Sequence, residues 1–301
     1  MKSVNCITTS NKGKWLRECP CTPGHVGCGY FVIENMLGCP YTCTYCYLNH
    51  YQNSPPTVYT NTDDLIRELK SFFEKTKKLR IGTGEFSDSL AWDDRHPFSK
   101  ILVPFFAEKQ NHFLELKTKS INIGNLLELD PKGKTIVSWS VNPEVIAKAE
   151  EKNCPSLTER LNAAKTVAEN GYFLAFHFDP IINIENWQKE YADTVRQIFE
   201  SVDPKKILYI SLGALRFPAS MKKTIEEKFP DSRITLGELI PGTDQKLRYF
   251  KPIRIEMFQN IYQEIRKYRQ DVFVYLCMES REVWDKVGIK NENPIAEYFQ
   301  L

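Results

Sequence analysis

From about residue 30 to residue 277, short apolar runs of β character alternate with segments of helical period. Strands are expected at YFVIENM (30–36), LRIGTG (79–84), HFLELKT (112–118), TIVSWSVN (135–142), YFLAFHFDPII (172–182), KKILYISLG (205–213) and VFVYLC (272–277). Helices are expected at 62–78, 98–110, around 121–129, 156–171 and 184–202, and near 218–229, 253–270 and 281–287. Ser156 and Glu159 form a capping box at the head of one of these helices, and Gly171 marks its stop. Strands that alternate with helices in this way pair in parallel through helical crossovers. The class is therefore α/β. About six consecutive units predict a partial (β/α)6 TIM-type barrel, with an open doubly wound sheet as the competitor. The chain divides into a Cys-rich, irregular N-terminal extension (1–29), the barrel (30–230) and a small C-terminal appendage packing on it (231–301). No Gly/Ser-rich linker or fixed-period repeat interrupts it.

The 301 residues suffice for a large core, and 26% charged residues with a net charge of +2 declare neither a strongly basic nor a strongly acidic partner. No stretch approaches the ~20 apolar residues of a membrane helix, and the start has no apolar secretory core. A cytoplasmic protein with reduced thiols is expected. Its nine cysteines are an odd number and point to metal or catalysis before disulfides.

Three of these thiols crowd into GCPYTCTYCYLN, at Cys39, Cys43 and Cys46, just after the first strand of the alternation. Reactive groups in parallel α/β folds gather at the carboxyl ends of strands. Three soft thiolates on one loop can hold three corners of a [4Fe–4S] cluster and leave one iron open. Structural zinc is the alternative, with Cys19, Cys21 or Cys28 as fourth ligand. Those three and Cys6 also have the residue types for a second cluster or zinc, while Cys154 reads as structural.

The CxxxCxxC spacing, with Tyr45 directly before the last thiol, resembles the signature of the radical SAM superfamily. The resemblance implies that Cys39, Cys43 and Cys46 bind the cluster and that its open iron chelates S-adenosylmethionine. Reduction, by a donor such as flavodoxin or ferredoxin, would cleave that cofactor to a 5′-deoxyadenosyl radical. Further motifs follow in order: RIGTGEFSDSLAWD, LKTKS, SWSVNPEVI, TERLNAAKTVAENGYFLAFHFDPII, LRFPASMKKTIEEKFPDSRI and LRYFKP. The series covers about 30–280 and resembles the spore photoproduct lyase family. That family reverses a methylene-bridged thymine dimer in DNA, and a cysteine on the loop after the second strand returns a hydrogen atom to the product radical. Glu85 stands at that position here. The expected activity is that of a DNA-repair lyase resembling this family; because a carboxyl O–H is a poor hydrogen-atom donor, a radical SAM enzyme of the same family acting on a nucleoside, peptide or small metabolite is the alternative.

The resemblance also assigns roles to other residues. Gly84, Glu85 and Ser87, in GTGEFS, match a motif that binds the amino group of the cofactor. Lys119 matches a lysine near its carboxylate, with Lys117 as a near rival, and Tyr45 is expected near the adenine. Ser140 and Asn142 are candidates for ribose or carboxylate contacts. Tyr47 is a candidate radical relay, and Cys277, or one of the N-terminal cysteines, a replacement hydrogen donor. His177 and Asp179, in HFDP, are candidates for substrate binding, with a core histidine and a turn aspartate as the plain reading. Arg216, Arg248, Lys251 and Arg254, interleaved with aromatics, have the composition of a DNA or nucleotide contact; a solvated face is the plain reading. A non-catalytic metal-containing nucleic-acid binder is the rival from another class.

Overall fold

The computed structural model describes residues 6–51, 55–76 and 78–290. Its centre is an eight-stranded sheet whose strands lie side by side in chain order. They are β1 Leu16–Glu18, β2 Tyr30–Ile33, β3 Leu79–Thr83, β4 His112–Thr118, β5 Thr135–Ser140, β6 Phe173–Ile181, β7 Ile207–Ala214 and β8 Phe273–Leu276. β2 to β8 pair in parallel, and β1 lies antiparallel on β2. β1 and β8 do not pair, so the curled sheet is a half-barrel open on one side. The chain continues after the strands into helices α1 Thr62–Phe73, α2 Phe98–Ala107, α3 Glu144–Glu150, α4 Leu157–Glu169, α5 Trp187–Ser201, α6 Ala219–Lys228, α7 Lys251–Tyr268 and α8 Arg281–Val287. No helix among the described residues is long and apolar enough to cross a membrane.

The local chemistry explains these elements. Every residue of β5 and β8 is buried, the pattern of parallel strands covered on both faces. The capping box of α4 is present: Ser156 N–H donates to Glu159 Oε2 at 2.8 Å, and Glu159 N–H donates to Ser156 Oγ at 3.3 Å. The segment around 121–129 forms a single 3-10 stretch, Gly124–Glu128.

Three differences from the sequence reading matter for the site. The extension is not wholly irregular, since Ile7–Thr9 and β1 are strands. α3, only seven residues long, was too short for a periodic signal. The division at 231 separates β8 from the sheet to which it belongs, because β8 pairs with β7 over Tyr209↔Phe273 to Leu212↔Leu276. A small antiparallel sheet of Arg216–Pro218, Ile240–Pro241 and Lys246–Arg248 stands beyond the end of β7.

The open side of the half-barrel is bridged by the stretch between β1 and β2. Val26 N–H donates to Glu279 O at 2.9 Å, His25 pairs with Ser280 just beyond β8, and Thr22 Oγ1 donates to Asp244 Oδ2 at 3.2 Å. This strap joins the two edges that the sheet leaves unpaired.

On β4, Glu115 accepts from His177 Nε2 at 2.9 Å and from Ser138 Oγ at 2.7 Å, and pairs with Arg80 at 3.0 Å. The Arg80 guanidinium lies 4.7 Å and 4.9 Å from the ring centres of Tyr30 and Tyr209. His177 is thus placed as a satisfied core histidine, bonded to Glu115 and outside the cavity lining. Burial, with Lys117 nearby, pushes its pKa down to about 4. A depressed histidine pKa means that the unfolded chain binds the proton more tightly. Stability from this group is complete above pH ~6.5 and is lost as the pH falls toward 4, by roughly 3 kcal/mol. Urea titrations from pH 7 to 4 should show this loss in the wild type and a smaller loss in His177→Gln. Equal losses would contradict the assignment.

Candidate functional site

A cavity of about 450 Å³ opens at the carboxyl ends of the strands. Its size falls within the ~300–1,000 Å³ of small-molecule sites. All three thiols of the triplet, Cys39, Cys43 and Cys46, line it. Their loop is held from two sides. Thr42–Cys43 pairs antiparallel with Glu151–Lys152, and the Tyr47 hydroxyl donates to the Glu85 carbonyl at 2.6 Å. Burial raises the Cys39 pKa, and it raises that of Cys46 to about 11, with Cys43 adding to the effect. Cys43 is lowered, first by its hydrogen bond with Cys154 and then by Lys119, against its burial.

Behind this loop lies a charge cluster that the sequence did not reveal. The Glu151 side chain is fully buried; Oε1 accepts from Tyr45 Oη at 2.5 Å and from Asn142 Nδ2 at 3.0 Å, and Oε2 accepts from Arg160 Nη2 at 2.5 Å. Burial alone would raise the Glu151 pKa, but Lys119 and Arg160 outweigh it and bring it down to about 2. Burial likewise works against the Lys119 ammonium, and Glu151 and Cys43 outweigh it, so its pKa is raised. Lys119 Nζ lies 5.6 Å from the centre of the Tyr45 ring, and both residues line the cavity. Glu150, the neighbour of Glu151, accepts from Thr44 Oγ1 at 2.5 Å and from Ser232 Oγ at 2.7 Å.

The β3 loop supplies the adjacent wall. Gly84 has φ +95°, and a Cβ there would lie 2.4 Å from the Lys117 carbonyl oxygen, so only glycine lets the loop approach β4. Glu85 and Ser87 follow it into the cavity wall. Asp88 anchors the loop by accepting from Thr118 Oγ1 at 2.6 Å and from the amides of Lys119 and Leu90 at 2.7 and 3.0 Å. Asp93 is similarly occupied, by the Ser99 amide at 3.0 Å and Asn125 Nδ2 at 3.0 Å. Both acids anchor their loops.

Across the cavity, Asp179 forms a two-pronged pair with Arg216, at 3.1 and 3.2 Å. A Cβ at Gly213 would stand 2.7 Å from the Asp179 carboxyl carbon, so the pair needs glycine on the next strand. Burial raises the Asp179 pKa, but Arg216 and Lys117 bring it below the usual carboxylate value. Cys19 and Pro20, from the strap, complete this side with Met278.

The structure thus brings Cys39, Cys43, Cys46, Tyr45, Tyr47, Gly84, Glu85, Ser87, Lys119, Ser140, Asp179 and Arg216 onto one cavity. It removes the other candidates from the wall. Asn142 is buried behind it, tied to Glu151 and to Tyr191 Oη at 3.2 Å. Cys277 sits outside the lining, where its sulfur accepts from Arg216 Nη2 at 3.4 Å. Arg248 is buried and paired with Asp244, and Arg254 pairs with Glu279 at 2.7 Å and donates to the Tyr249 carbonyl at 2.6 Å. Lys251 is a surface residue paired with Glu282 at 2.7 Å. The basic, aromatic-interleaved group therefore dissolves into ion pairs, with remote acids for Arg216, Lys251 and Arg254 and with the nearby Asp244 for Arg248. Lys117 and Cys19 enter the wall instead.

The donor chemistry fits an iron–sulfur cluster: three thiols on one ordered loop face a cavity that also holds the carboxylates of Glu85, Asp88 and Asp179 and the lysines Lys117, Lys119 and Lys246. Among the described residues no three His, Cys, Asp or Glu side chains, those of the triplet included, converge at single-ion spacing.

A model of the family described as "Spore photoproduct lyase" matches residues 28–274. Among curated proteins, the spore photoproduct lyase of Clostridium acetobutylicum is 26% identical over 212 residues, 69% of this chain and 63% of that protein. That of Bacillus subtilis is 27% identical over 244 residues, 78% of this chain and 68% of that protein. The chain thus spans somewhat under two thirds of the Clostridium relative. A solved structure described as spore photoproduct lyase complexed with dinucleoside spore photoproduct superposes with a TM-score of 0.79 at 23% identity, covering 90% of this chain and 82% of that one. This likeness bears on the fold.

Proposed function

Since the chain belongs to the spore photoproduct lyase family, we propose that it is a radical SAM enzyme, a lyase that reverses a methylene-bridged thymine dimer in DNA. The observation that carries this reading is the placement of all three triplet thiols, Glu85, Lys119 and Ser140 on one cavity at the carboxyl ends of the strands. A related solved structure described as spore photoproduct lyase with bound AdoMet and dinucleoside spore photoproduct supports the same cofactor and substrate class.

Cys39, Cys43 and Cys46 would hold a [4Fe–4S] cluster. When bound, it supplies an electron that cleaves S-adenosylmethionine to a 5′-deoxyadenosyl radical. The chain's own residues do the rest. The Glu85 carboxylate suits the ammonium of the cofactor, and the Lys119 ammonium suits its carboxylate. Tyr45 offers an aromatic face, Ser140 a hydroxyl, and Ser87 a further polar contact on the β3 loop. Tyr47 ties the thiol loop to the β3 loop through the Glu85 carbonyl, so both walls keep one relative position. Asp179 and Arg216, opposite, present a carboxylate and a guanidinium to a nucleobase or phosphate. The strap and Met278 cover the open side and exclude water.

Glu85 cannot easily return a hydrogen atom to the product radical. Cys19 lines the same cavity and carries a thiol, whereas Cys277 is withdrawn behind Arg216. Cys19 is the better-placed donor: its S–H breaks homolytically, the hydrogen atom joins the substrate carbon, and the unpaired electron stays on sulfur. The same reading places the protein in the cytoplasm, where thiols stay reduced, with a flavodoxin- or ferredoxin-type electron donor.

A second reading keeps the radical chemistry and changes the substrate to a nucleoside, peptide or small metabolite. The absorption of Arg216, Arg248, Lys251 and Arg254 into ion pairs favours it. One anaerobic experiment separates the two. Reconstituted protein, S-adenosylmethionine and dithionite are mixed with a thymine dinucleotide carrying the methylene-bridged lesion, with Cys43→Ala as the control. Repaired dinucleotide from the wild type alone supports the lyase. Formation of 5′-deoxyadenosine with an intact lesion moves the reading to another substrate, and neither product rejects both. In the first case, Cys19→Ala should divert the product to side adducts by at least about tenfold; unchanged clean repair would remove Cys19 from the mechanism.

A further inference from the structure

The triplet has a fourth thiol beside it. Cys43 sits opposite Glu151 in the short antiparallel pairing that holds the loop. Beyond Lys152, Asn153 adopts φ +64°, a left-handed conformation that asparagine tolerates, and turns the chain back. The Cys154 amide then donates to the Glu151 carbonyl at 3.3 Å, and Arg160 Nε fixes the Pro155 carbonyl at 2.9 Å. This turn sets Cys154 Sγ 3.7 Å from Cys43 Sγ. Cys39, Cys43 and Cys46 line the cavity and Cys154 does not. Cys154 therefore contacts a ligand sulfur from outside the cavity and is not placed as a fourth ligand within it.

We infer that Cys154 is a positioning residue for Cys43, donating an S–H hydrogen bond to the ligand sulfur and so raising the reduction potential of the cluster held there. The inference rests on the cluster assignment above. As a ligand, Cys43 is a thiolate with no proton to give, so the 3.7 Å contact runs in one direction, from Cys154 S–H to Cys43 Sγ. A donor aimed at a ligand sulfur draws charge from the cluster and stabilises its reduced, more negative form. Such a contact makes the first electron easier to load in a site whose chemistry begins with reduction.

The test is a redox titration of the reconstituted full-length protein, followed by the electron paramagnetic resonance of the reduced cluster. Iron and sulfide are counted in every sample. At the wild-type midpoint, Cys154→Ala and the nearly isosteric Cys154→Val should each show a reduced-to-oxidised ratio about fivefold lower. Cys154→Ser, which keeps a donor, should recover at least part of that ratio. Loaded Ala and Val variants that titrate with the wild type overturn the inference. So does failure of both to load, since Cys154 would then serve assembly and not potential. A wild-type protein without iron and sulfide rejects the cluster assignment itself, which is a separate result.

Discussion

Glu151→Ala is expected to lose about 3–5 kcal/mol of unfolding free energy. The substitution removes the carboxylate from a fully buried pair and leaves the Arg160 guanidinium with no counter-charge at 2.5 Å. Lys119 loses the acid that raises its pKa, and Tyr45 Oη and Asn142 Nδ2 lose their acceptor. Four groups pay for one deletion, and Tyr45 and Cys43 belong to the loop that carries the thiols. Iron binding should fall with stability, because the antiparallel pairing at Cys43↔Glu151 loses its side-chain support. Glu151→Gln keeps an acceptor for Tyr45 but not the charge, and should fall between the wild type and alanine. Urea unfolding with iron analysis checks both. A loss below about 1 kcal/mol in Glu151→Ala would mean that the cluster of charges relaxes into water. The pH dependence has a definite sign. With its folded pKa lowered to about 2, Glu151 stabilises the fold above its unfolded pKa of about 4.5, and the contribution, roughly 3 kcal/mol, disappears as the pH falls from 4.5 through 2.

Gly84→Ala is expected to cost about 3 kcal/mol and to disable the cavity wall at the same time. Two costs add. A non-glycine residue at φ +95° is strained. The new Cβ also meets the Lys117 carbonyl at 2.4 Å and Ser89 Oγ at 2.7 Å. The loop has little freedom to retreat: the Ser89 amide donates to that same carbonyl at 3.1 Å, and the Glu85 carbonyl holds Tyr47 at 2.6 Å. Relief must come from moving Glu85 and the loop out of the cavity. Affinity for S-adenosylmethionine, read by calorimetry on the reconstituted protein, should drop at least about tenfold. A variant with wild-type affinity would show that Glu85 does not contact the cofactor.

How much of this was legible depended on the range over which each feature is written in the sequence. β4 occupies residues 112–118 as expected, and the α4 capping box is where Ser156 and Glu159 put it. Both are local patterns. The thiol triplet is local as well, and so is its place after β2. Glu151 was illegible because its partners lie at 45, 142 and 160, on three other elements, and because α3, which delivers it, has only seven residues. The basic residues misled in part for the same reason. Arg254 looks available in LRYFKPIR, and the acid that neutralises it, Glu279, becomes a neighbour only after folding, whereas Asp244, the partner of Arg248, stands four residues away in DQKLR. His177 shares the HFDP motif with Asp179, and their i, i+2 spacing puts both on one face of β6; the motif did not show that Glu115 occupies the first and Arg216 the second.

The strap between β1 and β2 has a topological consequence. The thiols at 39–46 and most polar groups of the cavity are present once the chain has passed β7, but the wall opposite them is not. That wall needs residues 19–20 and 278 together, and it is held by the contact of Val26 with Glu279. Among the described residues this pairing has one of the largest sequence separations, so it carries a large loop-closure entropy and is expected among the last contacts to form. The site is therefore a product of both chain ends. A fragment ending at β7 would contain the whole cysteine signature and still leave its cavity open to solvent.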